Sequence, residues 1–195
     1  MTSLSKNKMK TISSLRWPTF IIMVLSLSAL WIWISRNPAN IEGYAVEQIP
    51  HTGFSAPDFN LETVDGKKIQ LSELQGKPII INLWASWCPP CRAEMPALQN
   101  VHDTYQNQGL VVLAINATNQ DNLQSAIDFT QKHNLTFPIL LDVTGKVSNL
   151  YQLRSLPTTF FIDESGIIQE IVIGGPMAEA LLRVRAERLL DGELK

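Results

Sequence analysis

Apolar residues in this chain fall into one long run followed by a series of short ones. The long run, Trp17 to Ile34, contains no charge, and its polar groups are small hydroxyls. As a helix it spans about 27 Å at ~1.5 Å per residue, which with its flanks suits a hydrocarbon core of ~30 Å. Trp17 stands at one end and Trp31 and Trp33 at the other, where amphipathic rings settle at a membrane–water boundary. This predicts a transmembrane helix over 17–35. Residues 36–52 are polar and broken by proline, a linker with an extended reach of at most ~60 Å.

From Gly53 the runs shorten. Phe59–Leu61 and Lys68–Leu71 flank Asp65-Gly66, a hairpin signal. Pro78–Trp84 and Leu110–Asn116 are aliphatic runs of strand length, so buried strands. A helix is predicted from Pro89 to Gln106, ending before Gly109. Asp121–Asn134 has Leu123, Ala126, Ile127 and Thr130 at helical spacing. Pro138–Leu141 reads as a short strand and Val147–Tyr151 as a short helix. Thr158–Ile162 and Ile167–Ile173 flank a turn at Glu164-Ser165-Gly166, and a last helix covers Pro176–Leu190. Alternating strands and helices closed by a hairpin predict an α/β fold, a central mixed sheet flanked by helices over 53–195.

Charge orients the apolar run. Residues 1–16 hold Lys6, Lys8, Lys10 and Arg16 and no acid, so they carry +4, leaving −6 on the rest of a chain whose net charge is −2. Cations ahead of an apolar span keep its start in the cytoplasm. The expectation is a single-pass anchor in the cell membrane touching lipid through 17–35, with the domain outside. A cleaved signal peptide is disfavoured because the apolar run continues past Ser26-Leu27-Ser28, and a lipoprotein anchor because no cysteine follows the run. An acidic folded part also excludes nucleic acid as the partner.

The chain has two cysteines, too few for a disulfide scaffold or a four-ligand zinc site. Its histidines, His51, His102 and His133, show no ligand spacing, so neither metal nor cofactor is expected. The cysteines stand together in Cys88-Pro89-Pro90-Cys91, directly after a predicted strand and opening a predicted helix. Proline suits the first helical turn, where its missing N–H has no intrahelical partner. The strand end should bring Cys88 to the surface at a helix N-terminus, whose dipole stabilises a thiolate. Cys91, one turn in and more shielded, would resolve the mixed disulfide that Cys88 forms. Neither proline offers Cys88 a hydrogen bond, which leaves the N–H of Cys91 as the local donor. The competing reading is an inert structural disulfide or two packed thiols.

Trp84-Ala85-Ser86-Trp87-Cys88-Pro89-Pro90-Cys91 resembles the thioredoxin-superfamily active site, and Pro96 resembles the proline that kinks the following helix. With Ala56-Pro57-Asp58-Phe59, the stretch between the Leu110 and Leu140 strands, and the N-terminal anchor, the chain is similar to the TlpA/ResA-like branch of extracytoplasmic thiol–disulfide oxidoreductases, related to the AhpC/TSA redoxins. The resemblance covers about 53–190. It implies a thioredoxin-like fold with an N-terminal β-hairpin and a central insertion. It also implies a redox disulfide Cys88–Cys91 and a cis-proline at Pro157 in Leu156-Pro157-Thr158-Thr159, although most X–Pro bonds are trans. Trp87, Pro89, Leu156 and Thr158 then fall where substrate binds. Glu94 matches an active-site glutamate of some such proteins and would take a proton from Cys91. The alternative is a solvated acid in the first helical turn. Asn82 stands where thioredoxins carry a buried aspartate, so that proton route is absent or moved.

The resemblance implies a reductase of protein disulfides, apocytochrome c among the substrates, fed by a membrane thiol carrier. A thiol oxidant or isomerase uses the same residues. A thiol peroxidase is suggested by Ala56-Pro57-Asp58-Phe59, but Ala85 replaces the threonine that peroxiredoxins place three residues before their reactive cysteine.

Overall fold

The computed structural model describes residues 16–36 and 50–194. Contacts divide the chain into Met1–Val46 and Glu47–Lys195. In the first unit, helix α1 runs Arg16–Arg36, and the side chains of residues 17–33 are all exposed. Among the described residues no helix is long and apolar enough to cross a membrane; the run of described side chains is shorter than α1 itself. The basic stretch 1–15 and most of the predicted linker lie outside the described residues.

The second unit is built on one seven-stranded sheet. Its strands are β1 (Asn60–Thr63), β2 (Lys68–Gln70), β3 (Ile79–Trp84), β4 (Val111–Asn116), β5 (Ile139–Leu141), β6 (Thr158–Ile162) and β7 (Ile168–Ile173), in the order β2-β1-β5-β4-β3-β6-β7. β3, β4 and β5 are parallel. The β1–β2 and β6–β7 hairpins join antiparallel at the two sides, through β5 and β3. Helices α2 (Pro89–Tyr105), α3 (Leu123–Lys132), α4 (Lys146–Leu150) and α5 (Glu179–Leu190) connect and cover it. Near the expected start, Pro50 is buried, and the Gly53 N–H donates to Ile168 O at 2.8 Å.

Period-two alternation places β3 between two cores, because successive strand residues face opposite sides. Ile80 and Trp84 join Val112 and Ala114 on the face packed against Met95 and Leu98 of α2. Ile79, Ile81 and Leu83 join Leu113, Ile115, Phe160 and Tyr151 on the other. Position 82 therefore falls on the α2 face, and there the buried side chain is polar, Asn82. This parity is what brings a strand amide under the helix that carries the cysteines.

Candidate active site

β3 ends at Trp84, and Ala85-Ser86-Trp87 carries the chain to α2. That loop is clamped. Ser86 donates through its N–H and its hydroxyl to the Asp121 carboxylate, each at 2.6 Å, and Asn116 Nδ2 donates to the same carboxylate at 2.7 Å. Trp87 Nε1 donates to Gln120 O at 2.9 Å. The sequence reading missed Asp121; its signal, an acid just ahead of a helix, does not distinguish a clamp from a cap. Trp84 is wholly buried against Phe129.

Cys88 is the N-cap of α2, with extended backbone and prolines at the first two helical positions. The Cys91 N–H points at Cys88 Sγ across 3.3 Å, as the proline spacing predicts. The two sulfurs are joined in a disulfide, with Cα atoms 5.3 Å apart. One expectation is corrected: Cys88 does not stand on the surface. It is 3% exposed, and the exposed neighbours are Trp87 (56%) and Pro89. Cys91 is fully buried. Arg92 is exposed, its guanidinium 5.5 Å over the Phe129 ring.

Glu94 lies one turn past Cys91 and is 1% exposed, which rules out a solvated acid. Its Oε1 accepts from Asn82 Nδ2 at 2.9 Å and from the Thr159 hydroxyl at 3.4 Å. Its Oε2 accepts from the Met177 N–H at 2.7 Å. Asn82 Nδ2 also donates to Thr159 Oγ1 at 2.9 Å, its cross-strand partner on β6, while Asn82 Oδ1 has no partner among the described residues. Burial pushes the Glu94 carboxyl above its ordinary value, and the donors from Met177, Thr159 and Asn82 oppose that rise.

Leu156-Pro157 is cis, as the resemblance implies, and Gly175-Pro176 is cis as well. The two loops meet over Glu94: a Cβ on Gly175 would lie 2.7 Å from Pro157 Cγ and 2.8 Å from Glu94 Oε2, so glycine alone fits. The structure thus gathers Cys88, Cys91, Glu94 and Pro157 around one helix N-terminus. Three of the four expected substrate contacts, Trp87, Pro89 and Leu156, line a groove with Cys88, joined by Gln120, Leu153, Arg154 and Ser155. Thr158 does not: its side chain is buried, and its hydroxyl donates to Ser155 O at 2.7 Å. It lies instead in a neighbouring hollow with Arg154, Phe160 and Ile173.

The AhpC/TSA family model matches residues 52–171. The thiol–disulfide oxidoreductase ResA of Oceanobacillus iheyensis is 41% identical over 159 residues, 79% of this chain and 78% of that protein. StoA from Bacillus subtilis superposes with a TM-score of 0.59 at 32% identity, covering 68% of this chain and 98% of the other. A structure described as a thiol:disulfide interchange protein DsbE from Chlorobium tepidum gives 0.66 at 29% identity, covering 72% and 99%. The family match spans the clamp, the cysteine pair, Glu94 and the Pro157 loop together, and on these likenesses the chain belongs to the AhpC/TSA family as a thiol–disulfide oxidoreductase of ResA-like, thioredoxin-fold type.

Proposed function

We propose that this chain reduces protein disulfides outside the cytoplasm, held in the membrane through residues 17–35 with its N-terminus inside. Apocytochrome c is a candidate substrate by family resemblance, and a membrane thiol carrier restores the dithiol. The charge-free run Trp17–Ile34 within α1 and the cations before it support the anchor.

The Cys88 thiolate attacks one sulfur of a substrate disulfide. That S–S bond breaks, a Cys88–substrate disulfide forms, and the other substrate sulfur leaves as a thiolate that takes a proton from water. Cys91 passes its proton to Glu94, and its thiolate attacks the Cys88 sulfur. The mixed disulfide breaks, Cys88–Cys91 forms, and the second substrate sulfur leaves and is protonated in turn. The substrate has gained two electrons and two protons. Glu94 suits its part because burial raises its proton affinity towards the working pH.

One observation carries the direction of electron flow: among the described residues Cys88 Sγ receives a single backbone N–H, at 3.3 Å, from a helix opened by two prolines. Thiolate stabilisation favours the dithiol and makes a site oxidising; with little of it, the dithiol gives electrons away. The peroxidase reading gains no support, since position 85 is a buried alanine without a hydroxyl. The test is in cells. Partners trapped on Cys91→Ser through Cys88 should be exported polypeptides, and their own cysteines should become more oxidised when this chain is deleted. Partners that become more reduced would make it an oxidant.

A further inference from the structure

Arg154, in the loop between α4 and β6, is exposed and has no ion pair or hydrogen bond with any described residue. Its counterparts are engaged: Arg185 with Glu170, Arg183 with Glu179, Arg188 with Glu193 O, and Arg92 over Phe129. Arg154 borders two hollows. One holds Cys88 with Trp87, Pro89 and Leu156. The other is floored by Phe160, Ile171 and Ile173 and edged by His51. Arg154 is thus the strong cation beside a largely apolar path leading away from the reactive sulfur. A guanidinium presents a planar fork of donors that matches a carboxylate. The residues after Arg16 carry −6 in sum, so the charge of the domain as a whole does not draw an acidic substrate, and any such preference must arise locally.

We propose that Arg154 is a specificity-determining residue that selects disulfide-bearing polypeptides with an Asp or Glu a few residues from the attacked sulfur. The extended chain advances ~3.3 Å per residue, so a carboxylate two residues from the cysteine sits about 7 Å along the chain from the attacked sulfur. The inference rests on disulfide exchange at Cys88 and holds whichever way electrons flow.

The test uses the reduced full-length chain in neutral detergent at pH 8 and at low salt. Single-turnover exchange is followed with three disulfide peptides that differ only in Glu, Gln or Lys two residues from the cysteine. Hydroxyethyl disulfide serves as an uncharged reference. Single turnover removes the equilibrium direction from the readout, so failure of the reductase reading leaves this result untouched. Exposed ion pairs are weak, so the Glu peptide should react about two- to five-fold faster than the Lys peptide. With each rate taken relative to hydroxyethyl disulfide, Arg154→Gln should level the Glu and Lys peptides and Arg154→Glu should invert their order. A ratio that survives Arg154→Gln and Arg154→Glu would overturn the proposal. So would an equal loss with hydroxyethyl disulfide, which would place the effect on Cys88 itself.

Discussion

Removing a carboxyl group from water disfavours its charged form, and Glu94 is 1% exposed. Its raised folded-state pKa makes proton uptake favour folding. The associated stability is fully present below the unfolded value, near 4.5, and is lost as pH rises through the raised folded value. Urea midpoints of the oxidised protein should therefore fall as pH rises above about 4.5, and Glu94→Gln should flatten that dependence. An equal slope in the variant would mean that another group is responsible. In exchange kinetics, Glu94→Gln should slow the resolving step, a base typically contributing about a hundred-fold, while the first attack by Cys88 keeps its rate. The cysteine pair, Glu94 and Pro157 were legible in the sequence as a motif. The burial of Glu94 was not, because an acid in a first helical turn looks the same solvated or enclosed. The groups that enclose it, Asn82, Thr159 and Met177, lie 12, 65 and 83 residues away.

Among the elements, α2 sets the chemistry because its first two residues are prolines. Pro90→His restores an N–H and adds a titratable cation near Cys88, both favouring the thiolate. Its midpoint should move in the oxidising direction by about 30 mV or more, since ~30 mV corresponds to ~1.4 kcal/mol; an unchanged midpoint would detach the potential from this helix end. The approach loop depends on Asp121, and Asp121→Ala orphans donors on Ser86 and Asn116. Chemical denaturation should show a loss of about 1–3 kcal/mol. Strands and helices were legible to within a few residues wherever an apolar run or a 3.6-residue period was long. The start of α5 was not: Pro176 resembles a first-turn proline, yet the helix starts at Glu179. The Met177 N–H is turned to Glu94 instead of into the helix, a tertiary demand that no local pattern records.

At the scale of the whole molecule, the proposed function joins an electron-donating domain to an anchor. The full-length chain should stay with membranes through an alkaline wash; a soluble form starting after residue 28 would refute the anchor and leave export standing. The sheet order was implied only through the family, since nothing in the short β1 and β5 runs states that they pair. The central claim is that this site gives electrons. Equilibrating the purified full-length chain in neutral detergent against graded glutathione or dithiothreitol, and reading the fraction of Cys88–Cys91 disulfide, measures it most directly. The account predicts a midpoint nearer the ~−270 mV of thioredoxin than the ~−120 mV of DsbA. A midpoint more positive than about −180 mV, the poise of protein disulfide isomerase, would contradict it.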